Sequence, residues 1–434
     1  MIRLTNKIKI VGLLFIAATT VLFSCNKDVQ QFAEPTIPPP STGKALGETI
    51  AATATDSLYY KLIVKAGLVA TINNKDATYT MFVPDNNAMK IFINAISGGL
   101  VPLAAPDAVF SRFIAANIPA ASAVGIVSYN IGAQSLLSVK IPATFPNFQY
   151  PTILNPAPTL SALLRLTTFP STRNGAWLNN SPLTAVDLVT ANGVIHHTAF
   201  VTTPPQRYLW SRISTDTALT YLKAAINRAD SGTAAPGTLQ GALLNIGANL
   251  TVFAPTDAAF KTLLRGAIYK ALLPLVIQQL TAAYIAGGMM PADAAAKAAA
   301  DAPPIAIGQA TALASSPAVF SNPALFNALS AQTVKGIVVY HIFGNRAFTN
   351  NFPVTTTYYP TLLNGGIPTH PGVGLTAVFG VPFITAATIK GVGNATASNI
   401  IINASPLIPD PSGTSDQHYL NGVLHKIDQV LLPQ

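Results

Sequence analysis

Histidine, cysteine and acid carry most side-chain chemistry, and in this chain they are few. Six histidines occur: His196, His197, His341, His370, His418 and His425. No two stand at the H-x-x-x-H spacing that would put both imidazoles on one helix face for a metal. His196 and His197 are adjacent in an alternating apolar segment; on a strand their rings point to opposite faces and cannot share an ion. The lone cysteine, Cys25, cannot close a disulfide within the chain or build a thiolate metal site by itself. Glu34 and Glu48 are the two glutamates, so a paired-carboxylate hydrolase would need aspartates. Asp257 falls in a first helical turn, while Asp187 and Asp428 fall within or near strands. No G-x-S-x-G elbow appears. Gly372, Gly374 and Ala377 match a dinucleotide fingerprint in spacing, but no strand–loop–helix pattern surrounds them. These patterns predict no catalytic set, no bound cofactor and no metal site. One pair remains, Tyr340–His341, either a binding feature or a packed tyrosine whose neighbour hydrogen-bonds across the fold. Asn130 beside Tyr129 stands where His341 stands beside Tyr340.

The elements that must position these residues come in matched pairs. TMFVPDNNAM at residues 80–89 and TVFAPTDAAF at 251–260 share one plan. Strand formers (Phe82 and Val83; Val252 and Phe253) run into Pro84 or Pro255, which removes a ladder donor. Asp85 or Thr256 then offers a side-chain oxygen to cap a helix. Upstream, TDSLYYKLIVKAGL predicts a short helix. Leu58, Leu62 and Ile63 lie on its inner face, Thr55 or Asp56 caps it, and Gly67 ends it. STDTALTYLKAAINRA repeats the pattern with Leu219, Leu222 and Ile226. VSYNI (127–131) matches VVYHI (338–342). NGVIHHTAFV from Asn192 matches NGVLHKIDQVLLP from Asn421, each predicting a tight turn into a strand covered on both faces.

The order helix, T-hydrophobic-F-x-P, Tyr-His, N-G-V-hydrophobic-H resembles the fasciclin (FAS1) domain, present twice, over residues 43–204 and 205–434. The resemblance implies an α+β fold, with each domain a wedge-shaped β-sandwich carrying packed helices. It implies a mostly structural role for the histidine at His196 and His425. In animal relatives the region matching Tyr340–His341 is implicated in cell adhesion.

The second copy is longer. Its excess falls at about 266–322, an insertion rich in alanine and proline. There, PADAAAKAAADAPP predicts a helix starting at Pro291 and stopping at Pro303. The uncharged stretch ALLPLVIQQLTAAYIAGGMM just before it predicts a buried helix followed by a glycine turn. The alternative is a hairpin that touches a membrane or a partner.

At the other end, MIRLTNKIK is a basic segment and IVGLLFIAATTVLF an apolar run too short to span a bilayer comfortably. With Leu22, Phe23, Ser24 and Cys25 it resembles a bacterial lipoprotein signal, residues 1–25, ending at a lipidated Cys25. The alternative is an N-terminal anchor helix with a chance cysteine. Asn26 after the cysteine implies the outer membrane of a Gram-negative bacterium, and Lys27–Asp28 resembles a surface-export tag. Residues 26–42 are polar, then proline-rich, and predict an extended tether.

The formal net charge is +9, and Arg3, Lys7 and Lys9 lie in the signal segment. No long basic run and no basic stripe with interleaved aromatics is present, which argues against a nucleic-acid partner. The expected function is non-catalytic: a lipid-anchored protein of the outer membrane or cell surface that binds an extracellular glycan or a matrix or cell-surface protein. The alternative is a lipoprotein that captures an oligosaccharide or other nutrient for an outer-membrane transporter.

Overall fold

The computed structural model describes residues 43–235, 237–380, 384–403 and 413–434. The expected signal segment, Cys25 and the tether lie outside them. Thr42–Gln434 form one compact unit, and the fold is α+β, as expected.

In the first half, helices Leu46–Ala52 (α1) and Ser57–Ala66 (α2) precede strand Tyr79–Pro84 (β1). Helix α2 buries Leu58, Leu62 and Ile63 and closes on Gly67 at φ 70°, a conformation glycine adopts without Cβ strain. β1 is buried from Thr80 to Pro84. Asp85 then accepts from Ala88 N at 2.8 Å and starts helix Asn86–Ile96 (α3). Helices Asp107–Asn117 (α4) and Ala120–Tyr129 (α5) lead to Ile131–Gly132 (β2), antiparallel to β1. Four short strands follow: Tyr150–Pro151 (β3), Thr167–Thr168 (β4), Pro170–Ser171 (β5) and Trp177–Leu178 (β6). The half closes with Ser181–Thr190 (β7) and Gly193–Thr198 (β8), a hairpin turning on Ala191–Asn192, with β8 parallel to β1.

The second half repeats this plan. Helices Leu209–Thr215 (α6) and Thr220–Ala229 (α7) precede Leu250–Pro255 (β9). Thr256 accepts from Ala259 N at 3.4 Å, where Asp85 did the same work. Helices Asp257–Ala286 (α8), Pro291–Ala314 (α9) and Ala331–Tyr340 (α10) follow, then Ile342–Phe343 (β10) against β9. Thr357–Tyr359 (β11), Val373–Phe379 (β12), Ile384–Lys390 (β13) and Ser398–Asn399 (β14) form a separate antiparallel sheet. Gln417–Tyr419 (β15) turns into Gly422–Ile427 (β16), which lies parallel to β9 with every residue buried.

The asparagine of each N-G-V motif explains its own repetition. Asn192 accepts from Leu46 N and donates to Ile72 O and Asn74 O. Asn421 accepts from Leu209 N and donates to Leu243 O. Each thereby pins the entry helices to the end of the central strand, and satisfies backbone groups that burial would otherwise leave unpaired.

The insertion departs from the sequence expectation in two ways. Helix α9 does not stop at Pro303; it runs through Pro303 and Pro304 to Ala314. The prolines remove donors that would bond Ala299 and Ala300 carbonyls, and both of those residues are exposed to water. Meanwhile Ala294, Ala298, Ala302, Ala306, Ala310 and Ala314 form one buried row at every fourth residue, against which α8 packs closely. The row keeps its contacts across the prolines, so the helix continues. Second, the stretch 271–290 is not a buried helix: Val276 is its one buried residue, and Leu275, Ile285 and Met290 are exposed. The glycine turn is present, with Gly288 at φ 90°. Helix α8 is long and apolar enough to cross a membrane by length and composition. Only the base of this hairpin joins the core, through Phe260, Leu264 and Ile268 against Ala310, Ala314 and Phe320.

Candidate functional site

The histidines are spoken for. His196 Nε2 donates to Leu136 O at 2.8 Å, its Nδ1 accepts from Asp187 N at 3.2 Å, and its ring stacks on Phe82. His425 repeats this with Ala347 O, Asp416 N and Phe253 at 2.9 Å, 3.1 Å and a 5.6 Å ring separation. Burial holds both imidazoles below their usual range. Beside each sits a hydroxyl and a carboxylate: Ser138 donates to Asp187, and Thr349 donates to Asp416. The set looks like a nucleophile, base and acid, but the wiring is wrong. The hydroxyl gives its proton to the carboxylate, and the imidazole has no lone pair left to take one. This constellation holds a turn against a strand, once in each half.

His341 is buried, donates from Nδ1 to Ile337 O and accepts from Leu431 N at Nε2; burial lowers its pKa to about 4. Tyr340 is buried, donates to Gly372 O at 2.7 Å and accepts from Val392 N. The structure thus places the pair in the interior, with their polar atoms turned to backbone groups. Asn130 takes the place of His341 by donating to Ile126 O and Thr202 O. His370 bonds Pro433 O and Gly372 N. Gly372, at φ 83°, leads directly into β12, with Tyr359 O 1.9 Å from where a Cβ would stand; the glycine pattern there serves a close backbone crossing. Asp257 binds Thr220 and Tyr221 N, and Asp428 binds Ser398 and Asn399. Among the described residues no three His, Cys, Asp or Glu side chains gather to hold a metal.

His197 is the exception with a partner that matters to pH. Asp56 does not cap α2 with its side chain; it is fully buried and meets His197 Nε2 at 3.0 Å. The second half has the same contact in another form, Lys426 to Asp216 at 2.7 Å. The Asp56 hydrogen bond raises the His197 pKa. A raised folded pKa means the contact stabilises fully below the unfolded value of about 6.5. That contribution is lost as pH climbs through the folded value. His196, His341, His418 and His425 are lowered, so their effect runs the other way and appears as the pH falls below about 6.5. Comparing the chain with His197→Lys isolates the first effect. The unfolding midpoint of the chain relative to His197→Lys should drop between pH 6.5 and alkaline pH, and a constant difference would show that the pair does not titrate.

Between the halves lies a junction that sequence reading did not find. Phe348 packs on Phe169 with ring centres 5.7 Å apart, and the Arg346 guanidinium lies 5.0 Å over the other ring of that pair, Phe169. Phe145 enters the second half against Phe343 and Phe352. Asparagine amides cross the boundary in both directions: Phe348 N to Asn147, Asn350 to Asn179 O, Asn351 to Thr144 O. His418 is held between Tyr129 Oη at 3.3 Å and the Arg346 guanidinium. Burial and the Arg346 charge push the His418 pKa well below its usual value, while burial lowers Arg346 to about 10, leaving it charged at neutral pH. Aligning the halves gives the signal that could have exposed this: Arg346 stands where Ser135 stands, and His418 where Val189 stands. A repeat that swaps a small hydroxyl for a guanidinium and an aliphatic for an imidazole at matched places is using those places differently.

Beside this junction opens a cleft of about 750 Å³. Helix α5 lines one side with Ser122 and Ile126, the connection Thr202–Arg207 crosses it, and Gln417 and His418 close the far wall. Most of its polar groups are neutral amides and hydroxyls; Arg207 and Asp416 are its charges. Such a lining can hydrogen-bond an uncharged ligand from several sides and pack its carbons. It offers no activated nucleophile.

The fasciclin-domain family model matches residues 56–201, within the first half. The structure of a FAS1 domain pair from the insect cell adhesion molecule Fasciclin I is similar over 86% of this chain and 95% of that chain, at 12% identity and a TM-score of 0.30. No curated protein matches the sequence.

Proposed function

We propose that this chain is a non-catalytic binding protein of the bacterial cell envelope. Cys25 carries the lipid anchor, residues 26–42 hold the folded part off the outer membrane, and the cleft between the halves contacts an extracellular glycan or a matrix or cell-surface protein. The observation that carries this reading is the cleft itself, concave, sited where the two halves meet and lined by apolar side chains and mostly neutral polar groups. A volume of about 750 Å³ lies within the usual range for small-ligand sites. That size favours, as a second reading, capture of a short oligosaccharide or similar nutrient for an outer-membrane transporter.

One experiment with two arms tests this. Residues 43–434 are applied to an array of polysaccharides and matrix proteins, and any hit is repeated with Ser122→Trp, which fills the cleft from an exposed helix position. The expected result is a specific hit weakened at least roughly tenfold, about 1.4 kcal/mol. In cells, Cys25→Ser should release the chain from the membrane fraction. Silence across the array, or a hit indifferent to Ser122→Trp, would remove the cleft from the proposal, and a membrane-bound Cys25→Ser chain would remove the anchor. Loss of growth on one carbon source after deletion, with no change in attachment, would favour the transporter reading.

A further inference from the structure

The face through which the second half receives the first exists on the first half too, and there none of the described residues covers it. The equivalence is fixed by shared contacts. Thr80 and Thr251 accept from Leu136 N and Ala347 N, and the next residues form matching single helical turns, Ser138–Lys140 and Thr349–Asn351. Asp187 and Asp416 receive Ser138 and Thr349. So Leu137 corresponds to Phe348, Val139 to Asn350, and Val189 to His418. In the second half Phe348 and Asn350 are 0% and 1% exposed beneath the first half. In the first half Leu137, Val139 and Val189 are 36%, 80% and 68% exposed. These three stand together at the place that the second half has covered, rather than singly as scattered exposure would put them.

The end of the fold that does the covering also has an uncovered copy. Tyr129 donates to Thr167 O and Tyr340 to Gly372 O, and Tyr150 pairs with Thr168 as Tyr359 pairs with Val373. In this register Val354 stands where Phe145 stands, and Gly374 where Phe169 stands. The Tyr358 ring lies over Gly374, 3.2 Å from where a Cβ would begin, so an aromatic again occupies the Phe169 place. Val354 and Tyr358 are 62% and 44% exposed.

We propose that the bare face of the first half receives this free end of the second half from another copy of the chain, repeating between molecules the packing already made within one. The contact is heterologous: each copy has one receiving face and one inserting end, so association continues into a row or closes into a ring. It needs no ligand in the cleft, and its failure would leave the binding proposal untouched.

The test is the solution mass of residues 43–434, measured by sedimentation from micromolar to roughly 1 mM. The mass should rise with concentration. Val139→Lys and Val354→Lys alter exposed side chains and should unfold at the wild-type midpoint, yet each should stay monomeric. Mixed equally, they should form dimers and nothing larger, because each retains one sound end. A wild-type mass flat to the highest concentration would overturn the proposal. So would wild-type association by Val139→Lys, and so would wild-type association by Val354→Lys, which would mean that the aliphatic face pairs with itself.

Discussion

Phe169→Ala is expected to cost about 3–5 kcal/mol of stability, the range for emptying a buried aromatic site, and to separate the unfolding of the two halves. Phe169 is fully buried. Its ring touches Phe348 and His418, each with centres 5.7 Å away, and lies beneath Arg346. Truncation leaves a void lined on one side by a guanidinium that has lost its aromatic face, and a buried cation gains nothing from a void. The surrounding contacts cannot close over it, because Asn147, Asn350 and Asn351 fix the spacing by hydrogen bonds to backbone. In denaturant, the wild-type chain should unfold in one transition and the variant in two, the earlier one reporting the half that depends more on its neighbour. A loss below about 1 kcal/mol with a single transition would mean that the halves are held mainly by the connection and the polar rim.

Gly193→Ala is expected to be at least as damaging, above about 3 kcal/mol, and it acts through the backbone. Gly193 has φ 154°, and a Cβ there would stand 2.0 Å from Tyr79 O. That oxygen belongs to β1, the parallel neighbour of β8, and neither strand can retreat because both are packed on two faces. Adopting the conformation costs about 1–3 kcal/mol for a residue with a side chain, and relieving the clash must then open the Tyr79–Gly193 register. Gly422→Ala meets Leu250 O at 2.3 Å and should damage the second half in the same way. Thermal unfolding of both variants measures this; a melting temperature within a few degrees of wild type, equivalent to about 1 kcal/mol, would show that the sheet yields where the geometry says it cannot.

The two glycines show why so much of the scaffold was readable. N-G-V spells out an asparagine that must satisfy a helix entry, a glycine that must pass a carbonyl, and a strand that must be apolar on both faces. Each demand is local, so each leaves its mark on adjacent residues. The same is true of the proline that ends β1 and β9, of the capping residue after it, and of Gly67. Where the demand came from a distant segment, the sequence misled. Asp56 has the spacing of a cap, yet its carboxylate goes to His197, 141 positions away. Pro303 has the force of a helix stop, yet the alanine row facing α8 carries the helix past it. The uncharged run before Gly287 has the composition of a buried helix, yet a two-helix hairpin projects most of it to solvent.

The binding-pair reading of Tyr340–His341 was open on sequence grounds because side-chain chemistry says nothing about depth; the packing of α10 against the sheet turned both inward. The cleft and the bare face at Val139 could not be read at all, and the Arg346–His418–Tyr129 contact left only the change of residue type at matched places of the repeat. They exist only where one half meets, or fails to meet, another, and no local pattern encodes which surface of a repeated fold will be covered. The sequence by itself determined a repeated α+β unit, its strand ends, its caps and its scarcity of chemistry, since periodicity and backbone geometry act over a few residues. Tertiary structure alone decided which groups are buried, which are paired and which face is left free, since burial and pairing depend on parts of the chain that are neighbours only after folding.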